Sequence, residues 1–209
     1  MSDSRRIRKK ETYTYGDYLT WPDDERWEII DGEAYNMTPA PTPLHQEISG
    51  NLFGLFWNQL RDKPCKVFTA PFDVRLPDED EASEDVRTVV QPDILVVCDE
   101  TKIDPRGLRG APDIVIEILS PTSASRDHIL KRRIYERHGV KEYWLIDPVN
   151  RIVSVYHATA DGCFGNHEVY NDEAKIHTTV LPGLTIDMSE VFPRLPKKIV
   201  RESPRKYQA

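Results

Sequence analysis

Two short runs, DILVVC at 93–98 and DIVIEIL at 113–119, constrain the fold more than any other feature of the chain. Both are rich in β-branched residues, almost continuously apolar and too short for a core helix. They therefore read as strands buried on two faces, at the centre of a sheet covered on both sides. Each is introduced by Pro-Asp, and a Gly-bearing loop separates them. The second run is interrupted by Glu117, which stands where an aliphatic side chain belongs. An isolated carboxylate there costs on the order of several kcal/mol unless it is paired, protonated or metal-bound. If the two strands pair antiparallel with Cys98 near Asp113, Asp93 falls opposite residue 118, and two carboxylates meet at one spot. Adjacent carboxylates repel, and a hard divalent cation, Mg²⁺ or Mn²⁺, reverses that penalty. The alternative is that Glu117 pairs with an Arg or Lys while Asp93 caps a turn.

Other elements can be placed around this centre. Tyr13 to Leu19 reads as a short helix, and WEII and EAYNM flank Asp31-Gly32 as a hairpin over 27–37. Leu44, Ile48, Leu52, Leu55, Phe56 and Leu60 keep an apolar stripe at helical spacing over 44–62. CKVFTA and FDVRL alternate as strands around Pro71, and LPDEDEASEDVRT after them reads as a mobile acidic loop, too charged to pack. SPTSAS supplies Thr122 or Ser123 as N-cap of a helix that runs to about His138, before the stop at Gly139. YWLID and IVSVYH form a second hairpin around Pro148-Val149-Asn150, and Val169-Tyr170 and Thr178–Leu181 are weaker strand candidates. The sum is an α/β or α+β chain with one mixed sheet.

Length and composition limit the possibilities further. With 209 residues and 39% apolar content, one core is expected. No membrane span or secretory leader is evident, so a cytoplasmic protein is expected. Cys65, Cys98 and Cys163 are odd in number and far apart, and read as buried thiols. Trp21, Trp27, Trp57 and Trp144 read as core anchors rather than as platforms for bases. The chain carries a net charge of −7, but residues 1–10 carry +4 and residues 193–209 carry +5, which leaves −16 on the body. Such a body does not attract polyanions by its bulk field, so nucleic-acid binding would need a local groove, the basic ends or bound cations. Solvated tails at 1–11 and 193–209 around one domain at 12–192 are the plainer reading of the ends. There is no GxSxG, phosphate loop, GxGxxG or HExxH.

A cation held by two carboxylates suits phosphodiester hydrolysis, since it acidifies a water and stabilises charge on the phosphate. A lysine nearby would complete the set. Asp127, Lys131 and Tyr135 share a helix face at i, i+4 and i+8, and Lys131 could lean back over the strand ends. The ordinary alternative is an exposed Asp127–Lys131 helix pair.

Taken in order, Pro92-Asp93, Glu117 within VIEILSP, and the helix and strand RDHILKRRIYERHGVKEYWLIDP resemble the PD-(D/E)XK nuclease superfamily, and within it the bacterial Uma-two family of restriction-type endonucleases. WEIIDGE, PTPLH and GAPD extend the resemblance to roughly residues 12–190. It implies a restriction-endonuclease-like fold, a mixed central β-sheet flanked by α-helices with an N-terminal β-hairpin. It also implies hydrolysis of nucleic-acid phosphodiesters, with Asp93 and Glu117 as metal ligands. The lysine expected two residues after the glutamate is Leu119 here, and the resemblance moves that role to Lys131. Glu28 and His45 match further positions of the family, the first as a second acidic group and the second as a phosphate contact; a strand-face salt bridge and a cap neighbour are their alternatives. Asp113 competes with Asp93 but lies at i−4 to Glu117, about 13 Å along a strand. The expected partner is nucleic acid, DNA by preference, cut by a homodimer. A nuclease-fold module that binds nucleic acid or a protein without cutting is the second reading.

Overall fold

The computed structural model describes residues 11–22, 24–37, 40–121 and 123–194. The basic ends and the candidate cap Thr122 lie outside the described residues, apart from Glu11 and Pro193-Arg194. Helix α1 (Tyr15–Tyr18) is capped by Thr14. Strands β1 (Trp27–Ile30) and β2 (Glu33–Asn36) form the expected hairpin. Its turn residues, Asp31 and Gly32, take φ of 50° and 85°, the left-handed geometry that a two-residue turn needs to match strand twist. Helix α2 (Pro43–Leu60) starts on Thr42, whose hydroxyl accepts the His45 N–H, with Pro43 in the first turn. Its buried residues Ile48, Leu52, Phe56 and Leu60 recur every four positions, so one face is apolar.

The chain continues through β3 (Lys66–Thr69), β4 (Val74–Arg75), β5 (Val89–Val90), β6 (Ile94–Val97), β7 (Ile103–Asp104), β8 (Gly107–Arg109) and β9 (Ile114–Ile118). Helix α3 follows in three joined pieces: Ala124–Arg126, a π-turn at Asp127–Lys131, and Arg132–Arg137. It ends at Gly139, with φ 82°. Strands β10 (Glu142–Asp147), β11 (Ile152–His157), β12 (Glu168–Asn171), β13 (Lys175–His177) and β14 (Thr185–Asp187) complete the order.

Among the described residues the strands form two six-stranded sheets, β2-β1-β5-β4-β8-β7 and β12-β11-β10-β9-β6-β3, and a ribbon, β13-β14. The second is the expected central mixed sheet: β9 and β10 run parallel across the α3 crossover, and its other pairs are antiparallel. The hairpin β1-β2 belongs to the first sheet, a separate layer that the reading of one sheet did not anticipate. Ile94, Val96, Ile114 and Ile116 face α2, while Leu95, Val97 and Val115 face α3 and the first sheet. Both faces of the central strands are therefore covered, as their uninterrupted apolar character requires.

Several expectations are corrected. The acidic segment after β4 does pack. Val86 is fully buried, and Tyr15 and Gly16 donate their backbone N–H groups to the carbonyls of Val86 and Glu84. Arg75 donates to Ser83 of the same segment. Thr178–Leu181 is not a strand, because its polar groups turn inward to the carboxylate of buried Glu142, which accepts from Thr178 Oγ1, Thr179 Oγ1 and the Val180 N–H. Cys65 and Cys98 form a disulfide, and Cys163 is exposed. The antiparallel register Lys66↔Val97 puts the two cysteines directly opposite, a proximity that their separation in sequence hides. Ser123 makes no side-chain cap and exchanges hydrogen bonds with Ser120 instead. Of the tryptophans Trp144 is a core residue, Trp21 and Trp27 join an aromatic cluster with Tyr13 and Tyr18, and Trp57 is exposed. No helix among the described residues is long and apolar enough to cross a membrane.

Candidate functional site

Strand register brings the two carboxylates together. β6 and β9 pair as Ile94↔Ile116 and Leu95↔Val115, one step from the expected alignment, and the continued ladder sets Asp93 opposite Glu117 rather than residue 118. Directly opposed residues share a sheet face, with Cβ atoms about 5 Å apart. Asp93 Oδ2 accepts the Ile118 N–H at 2.8 Å and meets His45 Nε2 at 3.1 Å. Asp93 is thus fixed by the neighbouring strand and by the first turn of α2.

Glu117 is held from the other side by α3. Its Oε1 accepts from Lys131 Nζ and from the Tyr135 hydroxyl, each at 2.9 Å. Lys131 Nζ also lies 2.8 Å from Glu28 Oε1 and 3.6 Å from Asp127 Oδ1. The face read as Asp127, Lys131 and Tyr135 is therefore buried and turned onto Glu117. Asp127 and Lys131 are the two ends of the π-turn, a widened turn that recurs at functional sites. Tyr143 donates its hydroxyl to the Asp127 carbonyl at 3.0 Å, which satisfies one backbone acceptor there. Glu28, on β1, also accepts the Gln91 N–H at 3.0 Å and an Arg126 guanidinium contact at 3.3 Å. Arg126 in turn lies over the Tyr35 ring.

All five residues singled out in the sequence, Glu28, His45, Asp93, Glu117 and Lys131, thus belong to one connected cluster. Asp113 does not; it sits before β9 at the far end of the strand and is taken up by the Cys98 N–H and Lys141. Arg126 and Gln91 were missed. Arg126 precedes the Asp127 face by one residue, and Gln91 precedes Pro92-Asp93, so only the two-sheet arrangement gives either a role.

The electrostatics are lopsided. Four carboxylates (Glu28, Asp93, Glu117, Asp127) face two permanent cations, Lys131 and Arg126. Burial pushes the Glu117 carboxyl well up; Lys131 opposes this, while Asp127, Asp93 and Glu28 add to it. Asp127 is raised by burial too, again against Lys131. Lys131 shows the converse: burial lowers its pKa, but Glu117, Glu28 and Asp127 together hold it well above the usual lysine range, so it remains an ammonium. Burial likewise works against a charged His45, yet the hydrogen bond and charge of Asp93 raise it overall. One cation shared among several anions explains both directions.

The cluster fits a hard divalent cation. Asp93 and Glu117 each commit one oxygen to the hydrogen bonds above, while the other takes none among the described residues. Excess negative charge in a buried setting calls for a counter-ion. No group of three His, Cys, Asp or Glu side chains forms a cage among the described residues. Two carboxylates are nevertheless a sufficient protein contribution for Mg²⁺, which keeps waters and takes substrate phosphates.

Comparison with known proteins bears on the family and the fold. Residues 15–189 match the Uma2 family model, described as "Putative restriction endonuclease". An uncharacterised protein of Synechocystis sp., slr1290, is 26% identical over 149 residues, 70% of this chain and 74% of that protein. The crystal structure of a "putative nuclease belonging to DUF820" from Anabaena variabilis superposes with a TM-score of 0.67 at 22% identity, covering 86% of this chain and 97% of the other. At that identity the likeness concerns the fold.

Proposed function

Because the chain belongs to the Uma2 restriction-endonuclease family, we propose that it is a divalent-metal-dependent endonuclease cutting nucleic-acid phosphodiesters, DNA by preference. The observation that carries the proposal is the opposition of Asp93 and Glu117 across adjacent strands, inside a buried cluster with more carboxylates than cations. Asp93 and Glu117 are the residues that would hold Mg²⁺ or Mn²⁺, and such an ion supplies Lewis acidity at the phosphate and acidifies a water.

The remaining side chains act on those two. His45 and the Ile118 N–H orient Asp93 through Oδ2 and leave Oδ1 for the ion. Tyr135 and Lys131 hold Glu117 through Oε1. The lysine's contacts are with Glu28, Glu117 and Asp127, all buried, so we assign it as a positioning and charge-balancing residue rather than a donor to the attacking water. Glu28 sets the place of the ammonium, and Gln91 and Arg126 set the place of Glu28.

The contacts of Lys131 favour a second reading. A lysine engaged by three carboxylates has little left to offer the substrate, as would hold for a nuclease fold that binds nucleic acid or a protein without cutting it. Incubation of supercoiled plasmid and of oligonucleotides with Mg²⁺ or Mn²⁺ separates the two. We expect cleavage that chelator, Asp93→Ala or Glu117→Ala abolishes. Cleavage surviving both substitutions would refute the assignment, and binding without cleavage in either metal would favour the second reading.

A further inference from the structure

Asp93 and His45 also line a cavity that Glu28, Glu117 and Asp127 do not line. The cavity, of about 250 Å³, is lined by Asp93 and Thr69, by His45, Gly50 and Phe53 of α2, and by Arg26. It is smaller than the roughly 300–1,000 Å³ that encloses a whole drug-sized ligand, a size suited to one base rather than to a duplex. Gly50 leaves the helix bare on this side, since a Cβ there would meet nothing within 4 Å. Arg26, anchored through Nε and Nη2 on Gln91 at 3.1 and 2.8 Å, brings positive charge to the same cavity.

Phe53 belongs to the cavity and also to a second feature. Its ring stacks on Trp57, with centroids 5.9 Å apart and planes 25° from parallel. Trp57 is 49% exposed, an uncommon state for so large an apolar side chain in a protein with an ample core. His45, Phe53 and Trp57 lie at multiples of four residues along α2, so the aromatic pair extends a line that starts at the partner of Asp93, each step about 6 Å along the helix. An aromatic platform beside a cationic flank is the arrangement that holds unpaired nucleotides, since every base has a face to stack and every phosphate a charge to meet. Bases within a duplex are stacked on one another and cannot reach such rings without leaving the helix.

We infer that the α2 face from Gly50 to Trp57 is a binding track for single-stranded nucleic acid, one base lodging in the cavity and the next stacking on the Phe53–Trp57 pair. The substrate of the centre at Asp93 and Glu117 is then a strand that is unpaired at the cut. The position of the cut rests on the endonuclease reading; the track itself is tested by binding alone.

Labelled oligothymidylate and a duplex of equal length are titrated with the full chain in Ca²⁺ and again in chelator, and binding is read by anisotropy. Oligothymidylate should bind more tightly than the duplex. Trp57→Ala and Gly50→Leu should each weaken it by about 5- to 150-fold, the range for loss of one stacked base, with duplex affinity unchanged, while Trp57→Phe retains most of it. Gly50→Leu suits the test because leucine favours a helix and its Cβ would have no heavy atom within 4 Å, so the longer side chain is directed into the cavity. Unchanged oligothymidylate binding in both variants, or equal losses for single strand and duplex, would overturn the track. So would a Trp57→Ala protein that changes its oligomeric state but not its binding, since the pair would then be a subunit contact. Track-dependent binding without cleavage in Mg²⁺ removes the nuclease reading and leaves the track; cleavage with binding indifferent to these variants does the reverse.

Discussion

Replacing Lys131 by methionine keeps the length of the side chain and removes its charge. Lys131 Nζ lies 2.8 Å from Glu28, 2.9 Å from Glu117 and 3.6 Å from Asp127, with all four side chains at 5% exposure or less. At an effective dielectric near 20 each of the two short contacts is worth about 6 kcal/mol before desolvation. Desolvating the ammonium and crowding the carboxylates offset much of that, and removal of one partner from a buried ion pair costs about 3–5 kcal/mol. Against a total stability of about 5–15 kcal/mol such a loss is large, so the variant should unfold at a markedly lower urea concentration in chelator. Glu28→Gln on the Lys131→Met background should recover part of the loss, because it removes one of the stranded anions. Urea unfolding followed by far-UV circular dichroism measures both. A Lys131→Met loss below about 1 kcal/mol, or a further loss on adding Glu28→Gln, would refute the account of this cluster as carboxylates held by one ammonium.

Glu142 is a buried carboxylate of a different kind. Its Oε1 accepts from Thr178, Thr179 and Val180 and its Oε2 from Trp144 Nε1. Glu142→Gln turns one acceptor into a donor facing a donor, so we expect a loss of roughly 2–3 kcal/mol, read as a lowered Tm, with cleavage well below that temperature unaffected. Asp104 bonds the buried Arg75 at 2.7 Å, and that hydrogen bond holds its carboxyl below the usual range against the opposing effect of burial. A depressed folded pKa contributes stability that is present above the unfolded value, about 3.9, and is lost as pH falls through the folded value. The stability gap between the protein and Asp104→Asn should therefore be constant at neutral pH and close below about pH 4. A gap unchanged down to pH 2–3, measured by urea unfolding, would contradict the pairing.

The sequence alone was enough to make Glu117 conspicuous, because a charge inside an aliphatic strand has few affordable explanations and each implies a partner. It likewise determined the hairpin at Asp31-Gly32, where a two-residue turn demands left-handed dihedrals, and the face shared by Asp127, Lys131 and Tyr135, where helical spacing is all that is required. These are local properties, written in residues a few positions apart. Tertiary structure decided the rest. It set the register that makes Asp93 face Glu117 rather than its neighbour, and the second sheet that carries Glu28 and Gln91 to the lysine. It joined Cys65 to Cys98, packed the acidic segment down through its own Val86, and left Trp57 outside the core. Apolar periodicity tells a residue whether to turn inward, but not which distant segment waits there. That depends on how two sheets and a helix close around one another, and the free energy of that closure is spread over the whole chain.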